Sequence, residues 1–335
     1  MGLIDLNAPW WDQNANESLS ILNKVYFSVS DISIMQKIVS IAMMFNPDML
    51  KEKHPDLNLF KMVDDKTWTM DYFVELCKEF TYENTGDNTR DQNDRWGLTS
   101  AYGDVTMFYF ASGERLCNKN ENDEPIIAID SPRAISVAMS LLQDFQLKDQ
   151  WAIHANDFKG VSDMWVESLA MFGDGRALFR TTAFSAVKKV RDYKVNYGIL
   201  PIPLIAEAQT DYYTPCNIQL AYGIVIPTFV SDPEFSAYMI EMMSAGGKEY
   251  VAKAYYEQIL KLKDIDDDES SRMLDLIFSN VVYDMGHIYG FAGLSTIISE
   301  NMANGTLEVA SKLEASKDTI NSKIEEIVDR YKDQD

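Results

Sequence analysis

Residues 169–184, LAMFGDGRALFRTTAF, hold two apolar runs split by Gly173-Asp174-Gly175-Arg176, so neither a single helix nor a single strand can pass through them. Upstream, Trp165, Val166, Leu169 and Phe172 recur at three and four residues, the spacing of an amphipathic helix. Glycine supplies the stop. Downstream, Ala177-Leu178-Phe179-Arg180-Thr181-Thr182 is short, partly β-branched and aromatic, which predicts a strand. The segment reads as helix, tight turn and strand. In open α/β sheets ligands bind beyond the carboxyl ends of such strands, so the residues at this end are the first candidates for a site.

The same alternation runs along the chain. Residues 19–30 predict a hairpin or strand turning at Asn23-Lys24, and residues 34–45 a strand or buried helix stopped by Asn46-Pro47. A helix is expected from Thr69 to Phe80, followed by short strands at 97–101 and 126–129. Ser131-Pro132 opens a helix that aligns Ala134, Val137, Ala138, Leu141 and Leu142 on one face. Strands are expected at 195–204 and 220–227, and a helix from Asp232-Pro233. The acidic run 264–269 reads as a loop capping a helix over 270–278, and the last thirty residues as a docked helix. The class is α/β.

The 335 residues exceed what one core usually holds, which predicts two lobes, and 46% hydrophobic residues suffice to fill them. No stretch reaches the eighteen apolar residues of a membrane span. The opening MGLIDLNAPWW has no basic and apolar regions of a secretory signal. A formal charge of −22 repels phosphate backbones, which excludes nucleic acid as a partner. Cys77, Cys117 and Cys216 are too widely spaced for a zinc pair and read as buried thiols. His54, His154 and His287 form no ligand spacing, and packing or surface roles are expected for them. No Walker A, GxSxG, HExxH or GxGxxG element occurs, so no catalytic residue, metal or cofactor is assigned. Residues 83–94 place oxygen-bearing side chains at nearly alternate positions, as a calcium loop would. Asn88 stands where that loop needs glycine and Asp94 where it needs glutamate, so a solvated loop is the competing reading.

Aromatic residues gather at predicted strand ends: Tyr102 after GLTSA, Phe184 after FRTT, and Tyr289 with Phe291 in HIYGFAGL. Each ring singly is more often a packing group, yet their shared position favours a cleft, where flat rings suit sugars and Asp, Asn and Thr bond to hydroxyls.

The order NKVYFSVSDIS, MMFNPDML, KTWTMDYFVELCKEF, WVESLAMFGDGRALFRTT, VNYGILPIPLIAEAQTDYY, AYGIVIPTFVSDPE and YDMGHIYGFAGL resembles the extracellular solute-binding proteins of carbohydrate ABC importers, the family of maltose-binding protein. The resemblance spans about residues 5–330. It implies a type II periplasmic-binding-protein fold, two α/β lobes joined by a hinge. Residues 1–30 and 226–275 would belong to the first lobe, and 31–225 with 276–335 to the second. It implies that Asp31, Tyr102, Asp104, Thr181, Thr182, Phe184, Tyr289 and Phe291 face a carbohydrate, with Phe184 where relatives carry a stacking ring. It further implies a monomeric, non-enzymatic subunit, anchored outside the cell, that hands its ligand to ABC permease membrane subunits. Relatives carry over a hundred residues ahead of NKVYF, so the first lobe is expected to be incomplete. The alternatives are a carbohydrate-active enzyme using a carboxylate pair and a remnant that binds nothing.

Overall fold

Nine strands form among the residues that this computed structural model describes, 3–147, 150–206, 208–260 and 267–333. They are β1 (Ile41–Phe45), β2 (Trp96–Ser100), β3 (Cys117–Lys119), β4 (Pro125–Ile127), β5 (Ala152–His154), β6 (Ala177–Ala183), β7 (Gly198–Leu200), β8 (Thr214–Pro215) and β9 (Val281–Val282). Five of them make one sheet in the order β5-β2-β6-β1-β7, and β3-β4 and β8-β9 make two small ribbons. In the main sheet β2 runs parallel to both β5 and β6, whereas β1 runs antiparallel to β6 and β7. The carboxyl ends of β5, β2 and β6 therefore share one edge with the start of β1.

Both faces of the sheet are covered. On the first, Phe179 meets Phe73 at 5.1 Å and Trp68 at 5.7 Å between ring centroids, and Phe73 meets Trp151 at 5.8 Å. Helix Met70–Glu79 brings Phe73 there, with the side chain of Thr69 capping the Tyr72 N–H. Helix Pro132–Gln146 starts on the Ser131 cap and buries Ala134, Ala138, Leu141, Leu142 and Phe145, close to the predicted face. On the second face, Phe172, Val187, Val190, Ile199, Leu274 and Ile277 pack around Met44. The C-terminal helix Val309–Lys332 docks through Val309, Leu313, Ile320, Ile324, Val328 and Tyr331.

The predicted helix, turn and strand at 164–183 form as expected, with a correction to the buried face. Helix Met164–Gly173 ends at Asp174, and Gly175 takes φ +72°, a conformation that glycine adopts without strain. Leu169, Met171 and Phe172 are buried, but Trp165 and Val166 are exposed on the first turn. Residues 34–45 hold both predicted alternatives, a short helix Met35–Ile38 and then β1.

The expected strand at 220–227 does not form. Ser28 and Ile224 make a single antiparallel bridge there, and no further ladder accompanies it. An extended segment needs a continuous partner to become a strand, and residues 19–30 supply only isolated bridges. Helix Pro233–Gly246 follows on the Asp232 cap, continues through a π-turn at Gly247–Ala252 and ends as Lys253–Leu260. Residues 264–266, half of the acidic run, lie outside the described residues, and the other half opens helix Asp267–Ser279, which begins three residues before the expected start.

Gly97 marks a close approach between helix Met70–Glu79 and the sheet. A Cβ at this position would lie 2.3 Å from the Cys77 Cα and carbonyl oxygen, backbone atoms that cannot rotate away. Gly97→Ala is expected to cost about 3 kcal/mol or more in urea unfolding. An unchanged denaturation midpoint would show that the helix stands farther from β2.

Candidate strand-end binding site

Parallel pairing of β2 with β6 puts Thr99 beside Arg180 at the carboxyl edge. Successive strand residues face opposite ways, so Arg180 and Thr182 share one face while Thr181 joins Phe179 on the other. Arg180 is 6% exposed, and its Nε donates to the Ser168 hydroxyl at 3.3 Å, which lies 3.1 Å from the Thr99 hydroxyl. Its Nη1 has no hydrogen-bond partner. Asp104, at the start of helix Asp104–Ala111, accepts the Ala101 N–H at 2.8 Å. Burial pushes the Asp104 carboxyl up to about 7, against the opposing pull of that N–H and of Arg180. Burial likewise brings the Arg180 guanidinium down to about 10.

Tyr102, half-buried, donates its hydroxyl to Asp157 at 2.6 Å, and its N–H to the Asn156 side chain at 2.8 Å. Burial and then Asp157 raise the phenol to about 12, so it stays a hydrogen-bond donor at neutral pH. Its ring stands edge-on to His154, 5.5 Å between centroids. The His154 Nε2 lies 3.0 Å from the Phe145 carbonyl, which can only accept, so Nδ1 accepts from the Ser100 hydroxyl at 2.9 Å. This histidine is a packing and orienting group.

The eight sequence-predicted residues thus separate. Tyr102, Asp104 and Thr182 lie at the carboxyl edge with Arg180, which the sequence reading missed although a charge inside ALFRTT was its signal. Thr181 is buried, and its hydroxyl is without a partner. Phe184 is corrected: the short helical turn Phe184–Ala186 carries its ring inward, 2% exposed, to 4.7 Å from the Phe278 ring. It is a core residue of the second face. Phe291 is also buried, stacked behind Tyr289 at 5.5 Å, and the Tyr289 hydroxyl pairs with that of Tyr331 at 2.9 Å. These two rings pack toward the C-terminal helix.

Asp31 lies elsewhere, in a cavity of about 230 Å³ that none of the other seven lines. Its Oδ1 accepts from Lys37 at 2.5 Å, and its Oδ2 is 4.0 Å from the Lys248 ammonium. Phe278 and the pair Trp10-Trp11 complete a stretch of the wall. Both indole N–H groups point to Glu241, at 2.6 and 3.4 Å. In the 83–94 loop, Glu83 and Asp94 accept the loop's own N–H groups, and among the described residues no cluster of His, Cys, Asp or Glu could hold a metal. The three cysteines are buried and unpaired. No described helix is long and apolar enough to cross a membrane.

No family model matches the sequence, and no curated protein matches it. Its fold is similar to that of the maltose/maltodextrin-binding domain from Bdellovibrio bacteriovorus bound to maltotriose. That likeness has a TM-score of 0.58 at 14% identity, over 95% of this chain and 76% of the other. An ABC substrate-binding protein from Listeria monocytogenes in complex with cycloalternan gives 0.57 at 14%, over 94% and 76%. A cyclo/maltodextrin-binding protein complexed with maltotetraose gives 0.55 at 15%, over 97% and 75%. The chain has the type II periplasmic-binding-protein fold.

Two outcomes follow from the packing. Phe184→Ala is expected to lose about 3 to 5 kcal/mol of stability, read by thermal and urea melts, because a large cavity opens beside Phe278. The raised Asp104 pKa makes the folded state bind a proton more tightly than the unfolded chain. Its stabilising effect is complete below about pH 4 and is lost as pH rises through about 7. Urea melts of wild type and Asp104→Asn should therefore favour the variant more at pH 8 than at pH 5. A difference independent of pH would contradict this environment for Asp104.

Proposed function

We propose that the chain is the solute-binding subunit of a carbohydrate ABC importer, taking a sugar or oligosaccharide between two lobes and delivering it to a membrane permease. The observation that carries this reading is the gathering of Tyr102, Asp104, Arg180 and Thr182 at one sheet edge, in a fold shared with proteins solved with bound glycans. An aromatic edge beside carboxylate, guanidinium and hydroxyl groups matches a sugar, whose ring is apolar on its faces and whose hydroxyls both donate and accept. The similar proteins named above are binding proteins, and a non-enzymatic role fits them.

In this reading residues 1–30 and 226–275 form the first lobe, with 31–225 and 276–335 forming the second. Helix Asp267–Ser279, which seats Leu274 and Ile277 against the main sheet, would then span the junction between them. Closure of the lobes by a hinge would complete the contacts and create the form a permease recognises. The subunit would act as a monomer outside the cell, held at the membrane surface.

Isothermal titration with maltose, maltotriose, maltotetraose and cycloalternan tests the reading. At least one is expected to bind, and Tyr102→Ala should weaken it by about 1 to 3 kcal/mol with the melting temperature little changed. Failure of all four, together with a broader panel of neutral glycans at millimolar concentration, would refute a carbohydrate ligand.

A further inference from the structure

Helix Pro233–Gly246 has little apolar seating. Ala237 and Ser244 are its buried residues, and Phe235, Tyr238, Met242 and Met243 are exposed. Its middle is tied instead by Glu241, which accepts three N–H groups from the N-terminal segment: the Asp5 amide at 2.8 Å and the Trp10 and Trp11 indoles at 2.6 and 3.4 Å. Hydrogen bonds to a charged acceptor are the strong class, so one carboxylate does what apolar contacts do elsewhere in the fold. A few residues on, the same segment is anchored to the body of the protein. Asp12 accepts the Tyr283 hydroxyl at 2.8 Å, and the Asn14 side chain donates to the Ser279 and Val281 carbonyls at 3.1 and 3.0 Å. Residues 5–14 are a strap fastened at both ends.

The helix also has a pivot. Residues 247–252 take a π-turn, an irregularity that interrupts the α-helical ladder and is frequent at functional sites. Beyond it Tyr255 and Tyr256 pack on the second face of the sheet, with the Tyr256 ring 5.3 Å from that of Phe278. Close to the pivot the contacts are between small groups: the Ser244 hydroxyl lies 2.7 Å from that of Ser30, and a Cβ on Gly247 would lie 1.8 Å from the Asp31 carbonyl oxygen. Lys248, in the π-turn, donates to the Pro9 carbonyl at 2.7 Å, so the strap crosses the pivot as well. Contacts at a pivot move little when an arm turns, whereas Glu241 stands about two turns farther out and moves with the arm. We propose that Pro233–Gly246 is a movable arm, turning about the π-turn and latched by Glu241 to the Trp10-Trp11 strap. When the latch opens, the arm swings as a rigid helix while Asp12 and Asn14 keep the far end of the strap in place. On the proposed function the arm belongs to the first lobe, so the latch sets that lobe's shape; the latch itself rests on the geometry alone.

Spin labels at Tyr238→Cys and Glu75→Cys measure the position of the arm against helix Met70–Glu79, by double electron–electron resonance on the full chain. Both sites are exposed, and Cys77, Cys117 and Cys216 are buried, which directs labelling to the introduced thiols. One distance is expected with Glu241 intact. Glu241→Ala should raise a second, distinct distance by about tenfold or more in population, and Glu241→Gln, which keeps one acceptor oxygen, should raise it less. Helicity by circular dichroism should be retained, because the arm turns without unfolding. Glu234→Gln removes a charge from the same helix and should leave the distance unchanged. An unchanged distance in Glu241→Ala, a second distance equally raised by Glu234→Gln, or a loss of helicity in place of a second distance would each overturn the proposal. If Glu241→Ala fails to fold, Glu241→Gln carries the test, and a distribution identical to that with Glu241 refutes the latch. The labels report the arm whether or not any glycan binds, so failure of the carbohydrate reading and failure of the latch are separate results.

Discussion

Pairing of β6 on both sides is the constraint on which the rest of the molecule depends. It runs antiparallel to β1 over five residue pairs and parallel to β2, so its register fixes which side chains reach the carboxyl edge. A slip of one residue would move Arg180 to the Phe179 face and drive a guanidinium into the aromatic core of Trp68 and Phe73. The actual register costs less, because Ser168 accepts from Arg180 and Asp104 offers opposing charge. Even so, Nη1 is buried without a partner, and such groups concentrate where a protein recognises something.

The sequence made the helix, turn and strand at 164–183 legible because two local signals agree there: glycine breaks the run, and the apolar period changes. Ser131-Pro132, Thr69 and Asp232-Pro233 were readable as helix starts. What local signals could not reveal was depth. Phe184 follows strand β6 as a stacking residue would, but whether its ring turns outward depends on Phe278, nearly a hundred residues away. Residues 220–227 carry strand-like composition, and their ladder fails for want of a neighbour, a tertiary fact. Asp31, expected to face a carbohydrate, lies in the wall of a cavity apart from the other seven, while Gln36, Lys37 and Lys248 carry no sequence signal and come together only in the fold.

Helix Pro233–Gly246 shows the same limit from the opposite direction. It is rich in large apolar residues, yet only Ala237 and Ser244 are buried, the latter through a 2.7 Å bond between the Ser244 and Ser30 hydroxyls. Small residues seat the helix, and the large ones, Phe235, Tyr238, Met242 and Met243, point away and stay exposed. With Phe229 and Tyr250 they extend the apolar surface beyond the helix, in a chain whose charge otherwise keeps its surface polar.

Position gives the Asp31 cavity a further consequence. Lys248 comes from the π-turn after helix Pro233–Gly246, while Gln36 and Lys37 come from the segment leading into β1. In the proposed division these walls belong to different lobes, so a change in lobe angle alters the distance between Lys248 and Asp31. Lys37 is already paired with that carboxylate at 2.5 Å, which makes the Lys248 side the adjustable one.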